Sequence, residues 1–396
     1  MVKNFLGSSV TSGSAGAEHG KTLQNPTLRW VRQSKTSIMA LVICLGRIVK
    51  TALVTGGSGY FGELLSKQLL RQGTYVRVFD LNPPGFSHPN LESLKGTILD
   101  RNAVRQALSG IDKVFHNVAQ VPLAKEKDLF WSVNCGGTQI IVDESVATGI
   151  EKFVYTSSSA VFGAPKSNPV TEETEPNPAE DYGRAKLAGE IICKETMQRD
   201  GLDVAIVRPR TVLGYGRQGV VQILFDWVER GLDIPVLGGG NNKYQFVHSD
   251  DLASACIAAS NVKGFATYNI GAAEFGTMRE LLQVVIKHAE TGSRIKSIPM
   301  GPTALAANLA SALGLSPLGP YHSLMYGRAM YFDISKAQKE LGYAPKYSNS
   351  QMIIESYDWY QANRASLSKD GRSHHKSPVK QQLLALVPHL LRMIPA

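Results

Sequence analysis

An α/β fold built on a doubly wound parallel sheet is predicted by three features of the chain. A short β-branched strand at 50–55, "KTALVT", runs into the glycine turn "GGSGYFG" at 56–62 and then into "ELLSKQLLRQG", which has helical periodicity. The next strand, "TYVRVFD", ends on the acidic residue Asp80. Beyond Asp80, strands and helices alternate, the pattern of a parallel sheet with helices on both faces. The arrangement is of the Rossmann type, and the chain after it is long enough for a smaller mixed C-terminal substrate lobe.

Each element has a reason in the residues. Gly56, Gly59 and Gly62 make a G-x-x-G-x-x-G spacing, and Gly57, Gly59 and Gly62 also satisfy G-x-G-x-x-G. Such a turn needs unusual backbone angles, room for a pyrophosphate against the main chain, and close packing of strand and helix. Tyr60 and Phe61 open a helix whose N-terminal N–H groups suit phosphate oxygens. Asp80 lies eighteen residues after Gly62, where a carboxylate accepts hydrogen bonds from adenosine ribose hydroxyls and repels a 2′-phosphate. NAD is therefore expected over NADP, with neighbouring Arg77 the residue that argues the other way. A strand near 96–99, a helix over 101–109, a strand at 113–119, a helix over 128–148 and a strand at 152–158 complete the first half. Ligands of such sheets lie beyond the carboxyl ends of the strands, where Asn117, Ala119 and the serines 157 to 159 fall.

Composition narrows the class. The 396 residues are 43% apolar, enough for one large α/β domain with a second lobe. The four cysteines lack C-x-x-C spacing, so neither a zinc site nor a disulfide framework is expected, no metal is assigned, and a reducing, cytoplasmic setting fits. The net charge of +9 sits mostly at the two ends, which argues against a nucleic-acid face. Residues 1–49 read as a disordered leader; the apolar run at 38–45 is too short to span a bilayer. Residues 366–396 read as a basic, amphipathic tail, with weak contact to a membrane surface one of its expected uses.

The ordered series "TGGSGYFG", Asp80, "VFHNVAQ", "VNCGGT", "YTSSSAVFG", "YGRAK" and "VRP" resembles the extended branch of the short-chain dehydrogenase/reductase superfamily, and within it the NAD-dependent epimerase/dehydratase family, over about 50–365. Tyr-x-x-x-Lys alone is a common coincidence on a helix face. The resemblance implies that Tyr182 is the general acid/base, that Lys186 binds the nicotinamide ribose and eases ionisation of the tyrosine, and that Ser158 orients the substrate oxygen. It implies cofactor contacts at Gly56, Gly59, Tyr60, Phe61, Gly62, Asp80, Asp100, Asn117, Ala119, Asn134, Lys186 and Pro209, with Arg208-Pro209 shaping the nicotinamide end. For Asn134 a buried structural role stands equally open, and Thr97 occupies the usual place of an adenine-binding aspartate, with Asp100 three residues on.

Departures from the family pattern bear on the substrate. Ser158-Ser159-Ala160 replaces the Thr-Asp-Glu of 4,6-dehydratases, so that elimination chemistry is not expected. Tyr244 stands where many epimerases place a diphosphate-binding arginine, and Thr211 where asparagine is common; Lys243, Arg217 or Arg328 are the candidates to supply the charge. An apolar, small-residue segment at 299–319 resembles one in relatives similar to 3β-hydroxysteroid dehydrogenases. The first expectation is an NAD-dependent epimerase or oxidoreductase of a nucleotide sugar. The alternatives are a dehydrogenase/reductase of a hydrophobic or lipid-linked alcohol or ketone and, from another class, a non-catalytic NAD-sensing scaffold. The expected domains are a Rossmann part, 50–215 with 245–272, and a substrate lobe, 216–244 with 273–365. A homodimer through the tyrosine-bearing helix is implied by the resemblance.

Overall fold

Eleven strands are found among the described residues of the computed structural model, which are 50–120, 127–219, 221–299, 301 and 326–366. They are β1 (Thr51–Thr55), β2 (Tyr75–Asp80), β3 (Leu91–Lys95), β4 (Lys113–His116), β5 (Lys152–Thr156), β6 (Val204–Pro209), β7 (Thr211–Leu213), β8 (Ile234–Leu237), β9 (Phe246–His248), β10 (Ala266–Ile270) and β11 (Ile295–Ile298). The helices are α1 (Tyr60–Arg71), α2 (Arg101–Leu108), α3 (Lys127–Trp131), α4 (Thr138–Ala147), α5 (Asp181–Asp200), α6 (Val221–Glu229), α7 (Ser249–Ala259), α8 (Met278–Ala289), α9 (Ser335–Leu341) and α10 (Asn349–Asn363). The leader, most of the 299–319 segment and nearly all of the tail lie outside the described residues.

Seven parallel strands make the main sheet, in the order β3-β2-β1-β4-β5-β6-β10. The chain builds outward from β1 to β3, then crosses back and builds from β4 in the other direction. The strand order therefore reverses between β1 and β4, and a crevice opens there beyond their carboxyl ends. Every residue of β1 is buried, as a central strand covered on both faces requires. The apolar side chains Leu64, Leu65, Leu69 and Leu70 turn the inner face of α1 onto the sheet.

Two elements differ from the sequence expectation. The third strand is 91–95, not 96–99: β3 is a half-exposed edge whose residues show no clear alternation, while the segment after it loops into α2, with Asp100 as the N-cap. The helix expected over 128–148 is interrupted by a π-helical turn, Ser132–Gly137, of the kind that often marks a functional site.

The C-terminal elements form a second core, with Leu213, Phe225, Trp227, Met278, Leu281, Met352 and Tyr357 at its centre. Burying a side chain such as Phe225, which is fully covered, contributes roughly 1.5–3 kcal/mol. Two short parallel pairs, β7 with β9 and β8 with β11, and a lone antiparallel bridge between Lys243 and Thr277 make this part mixed. The helix α10 packs into it beside α6 and α8.

Candidate active site

The carboxyl ends of β1, β4 and β5 bring three segments together: the glycine turn, the loop from Asn117 to Gln120, and the serine run. Gly56 has φ +67°, and its N–H donates to Phe79 O at 3.0 Å, folding the turn over the end of β2. A Cβ on Gly62 would lie 2.1 Å from Gly56 O, so helix and turn meet at a distance that only glycine permits. The N-cap of α1 is Gly59, and the first N–H groups of the helix, those of Tyr60, Phe61 and Gly62, are left without a capping side chain.

Asp80 closes one side of this cradle. Its Oδ2 accepts from Ser58 N at 3.1 Å and its Oδ1 from Asn82 N at 3.1 Å, so the carboxylate is fixed beside the turn. Arg77 is turned away: the buried guanidinium pairs with Glu92 at 2.7 Å and donates to Ala107 O and Ser109 O, each at 2.8 Å. The charge that argued for a 2′-phosphate is spent on the sheet edge. Asp100 Oδ1 caps α2 through Asn102 N and Ala103 N. Asn134 lies in the π-helical turn with its amide bonded to both backbone groups of Gln120, at 2.9 and 3.1 Å. Asn134 thus holds the loop that contains Ala119. Asn117 Oδ1 accepts from Thr156 Oγ1 at 2.6 Å, and Pro209 is buried at the end of β6.

Tyr182 is half-buried in the first turn of α5. The N-cap Glu180 fixes that turn, its carboxylate accepting from Tyr182 N at 2.7 Å and Gly183 N at 2.8 Å. A Cβ on Gly183 would lie 2.4 Å from Ala160 O, so this glycine lets α5 sit directly on the 3₁₀ turn Ser159–Phe162 that follows Ser158. One turn further along α5, buried Lys186 donates from Nζ to Thr156 O at 2.7 Å, with the ammonium 5.0 Å from the Tyr155 ring centroid. Burial lowers its pKa to about 8, which leaves it cationic at neutral pH. The three serines separate by environment. Ser157 and Ser159 are buried, donating to Glu190 Oε1 and accepting from Arg210 Nη1 respectively, whereas Ser158 is partly exposed, its Oγ accepting from Ala160 N at 3.1 Å.

Comparison with known proteins bears on this constellation. The family described as the NAD dependent epimerase/dehydratase family matches residues 52–271. The chain belongs to this family. It is 96% identical over 395 residues, covering 100% of both chains, to uncharacterized protein y4nG of Sinorhizobium fredii. It is 29% identical over 356 residues to a 3 beta-hydroxysteroid dehydrogenase/Delta 5→4-isomerase of Mycobacterium tuberculosis, covering 83% of this chain and 94% of the relative. Among solved structures, UDP-glucose 4-epimerase of Thermotoga maritima with UDP-glucose matches at a TM-score of 0.66 and 23% identity, covering 79% of this chain and 99% of that one; the likeness is one of fold.

As a member of this family the chain is an NAD-dependent enzyme of the extended short-chain type. The cradle fits NAD: a turn that a Cβ at Gly62 would fill, an uncapped helix N-terminus, and the Asp80 carboxylate fixed beside the turn. Among the described residues no group of three or more His, Cys, Asp or Glu is arranged to hold a metal ion, and no helix is long and apolar enough to cross a membrane.

Buried polar groups support the site of this epimerase-family member from below. Arg208 does not reach the cleft as a charge: its Nε and Nη2 grip Glu190 at 2.9 and 2.6 Å, and Glu190 also accepts from Ser157. The pair is nearly fully buried and bidentate, the geometry in which removing one partner costs about 3–5 kcal/mol. It ties β6, β5 and α5 together beneath Ser158. His116 at the end of β4 is held between Thr55 Oγ1 at 2.8 Å and Thr138 Oγ1 at 3.1 Å, and burial lowers its pKa to about 3. It is a neutral strut. Sequence reading had no signal for Gly183 or Glu190, because each matters through a partner distant in the chain or through packing; Glu180 acts locally, as the N-cap of α5.

The residues expected on the substrate side lie among aromatic rings. Tyr244 is buried and shares a hydrogen bond between its OH and Thr211 Oγ1 at 3.0 Å. Its ring is 5.1 Å from that of Phe246. Arg217 lies with its guanidinium 5.6 Å from the ring centroid of Tyr60, whose OH donates to Tyr215 O at 3.1 Å, so the loop carrying Arg217 is fastened to the start of α1. Arg328 is exposed, and its carbonyl accepts from Asn242. Lys243 stands over the Tyr331 ring at 5.6 Å.

Proposed function

We propose that the enzyme oxidises a secondary hydroxyl, or reduces the corresponding ketone, with Tyr182 as the proton carrier. The observation that carries this reading is the buried Lys186 ammonium, pinned to Thr156 O one helical turn from Tyr182 and beside the serine run. A fixed cation one turn along the same helix favours the tyrosinate, which can take the hydroxyl proton of the substrate. Ser158, the partly exposed serine, donates to the same substrate oxygen and holds it at Tyr182. Asp80 and the first turn of α1 hold the adenosine and pyrophosphate ends of the cofactor. Bound NAD supplies the hydride acceptor or donor.

For the substrate we infer an apolar alcohol or ketone of hydroxysteroid type. Tyr244 supports this reading: an arginine clamp for a diphosphate has been replaced by a ring whose hydroxyl is engaged with Thr211, in an aromatic wall with Phe246. A 3 beta-hydroxysteroid dehydrogenase among the relatives points the same way. The second reading, a nucleotide sugar, is favoured by Arg217, a cation in the loop fastened to α1. A thermal-shift series in saturating NAD separates them, using a 3β-hydroxysterol, its ketone, UDP-glucose and UDP. A ligand present at about 100 times its Kd adds about 2.7 kcal/mol to stability. Stabilisation by the sterol pair, with NADH formed from the alcohol, is the expected outcome. Stabilisation by UDP and UDP-glucose alone would transfer the assignment to the sugar.

A further inference from the structure

Arg210, between β6 and β7, is 1% exposed and among the largest fully buried side chains in the molecule. Nη1 donates to Ser159 Oγ at 2.8 Å and lies 3.4 Å from Met330 Sδ. Nε and Nη2 have no hydrogen-bond partner, and among the described residues no carboxylate pairs with the charge. Arg208, two residues earlier, has the bidentate glutamate that a buried guanidinium ordinarily requires. What Arg210 has instead is aromatic: its Cζ is 5.0 Å from the Tyr244 ring centroid and 5.8 Å from that of Phe332. Cation–π contacts offset part of the desolvation of the charge. They leave the two N–H groups unanswered, and buried polar groups left in that state ask for a reason.

The guanidinium that is missing from position 244 is thus present one layer below it, covered by the ring that took its place. We propose that Arg210 is an oxyanion hook and Tyr244 its cover: a carboxylate or phosphate group of the substrate reaches Nε and Nη2 when the Tyr244 ring turns aside. A planar guanidinium presents those two donors to two oxygens of one anion. Among the described residues the hydroxyl of the cover makes one hydrogen bond, to Thr211, and its ring packs on Phe246 in the aromatic wall assigned above to the substrate. The inference rests on that assignment of the cleft and adds to it that the substrate bears an acidic group. Through Ser159, the hook is also tied to the 3₁₀ turn that follows Ser158, so the acidic group and the reacting oxygen are held from adjoining residues.

The test needs no turnover and so stands apart from the alcohol or ketone assignment. Melting temperatures are measured in saturating NAD, which fills the pyrophosphate cradle, against inorganic phosphate and against acetate. The proteins are the wild type, Tyr244→Ala, Arg210→Met and the double variant, with Arg210→Lys in case the apolar replacement does not fold. Tyr244→Ala is expected to respond to one of the two anions at least about twofold more than the wild type. Arg210→Met is expected to abolish the response in both backgrounds, and Arg210→Lys, a point charge without the fork, to weaken it. A response to phosphate assigns a phosphorylated substrate and a response to acetate a carboxylated one. Equal responses with and without Arg210, or none in Tyr244→Ala, would overturn the proposal.

Discussion

Tyr182→Phe is expected to lower turnover by about 10²–10⁴-fold, the usual contribution of a positioned acid/base, while NAD affinity stays within about twofold. The substitution removes one oxygen from a half-buried residue at the start of α5. The turn itself is fixed by Glu180 through backbone N–H groups, so the phenylalanine side chain inherits the same helix geometry. Lys186 keeps its bond to Thr156 O, and the glycine cradle is on a different segment. The loss should therefore appear in kcat, with little change in cofactor titrations. Turnover equal to the wild type would remove Tyr182 from the chemistry.

Gly62→Ala is expected to weaken NAD binding by at least about 10- to 100-fold, or about 1.4–2.8 kcal/mol. The added Cβ would be placed 2.1 Å from Gly56 O and 2.7 Å from Gly57 Cα, both backbone atoms that no side-chain rotation can clear. Either α1 must withdraw from the turn or the turn must open, and each displaces the N–H groups that would face the pyrophosphate. Overpacking of this kind also costs about 1–3 kcal/mol of stability. Gly136→Ala is the matched control, since its Cβ meets nothing within 4 Å. Isothermal titration with NAD distinguishes the two; wild-type affinity in Gly62→Ala would contradict the cradle.

What the sequence discloses depends on how far apart the interacting residues lie. The glycine turn, Asp80 and the Tyr182/Lys186 pair are legible because each is a local pattern: a strand-turn-helix run, a strand terminus, one face of one helix. The main sheet follows from alternation, which repeats through the chain. The edge strand β3 is misplaced by about five residues because a half-exposed strand carries little periodicity. The Arg77 ambiguity could not be resolved from sequence, since the answer is a pairing with Glu92 and two carbonyls at the end of α2. The partners of the outer serines were equally out of reach: Glu190 and Arg210, 33 and 51 residues from Ser157 and Ser159, engage them and leave Ser158 between. The Arg210–Tyr244 stack was hidden too, although the absence of an arginine at 244 was plain, because nothing local says that the residue between β6 and β7 supplies a guanidinium beneath the ring.

The central claim is that the fixed Lys186 cation makes Tyr182 a proton carrier. It is tested most directly by the pH dependence of alcohol oxidation in the wild type and in Lys186→Met. A cation beside the tyrosine favours its ionised form, so removing the cation disfavours it. The acid limb of the kcat profile is expected to move alkaline by about one pH unit or more in Lys186→Met, with a lower plateau. An acid limb at the same pH in both proteins would contradict the account.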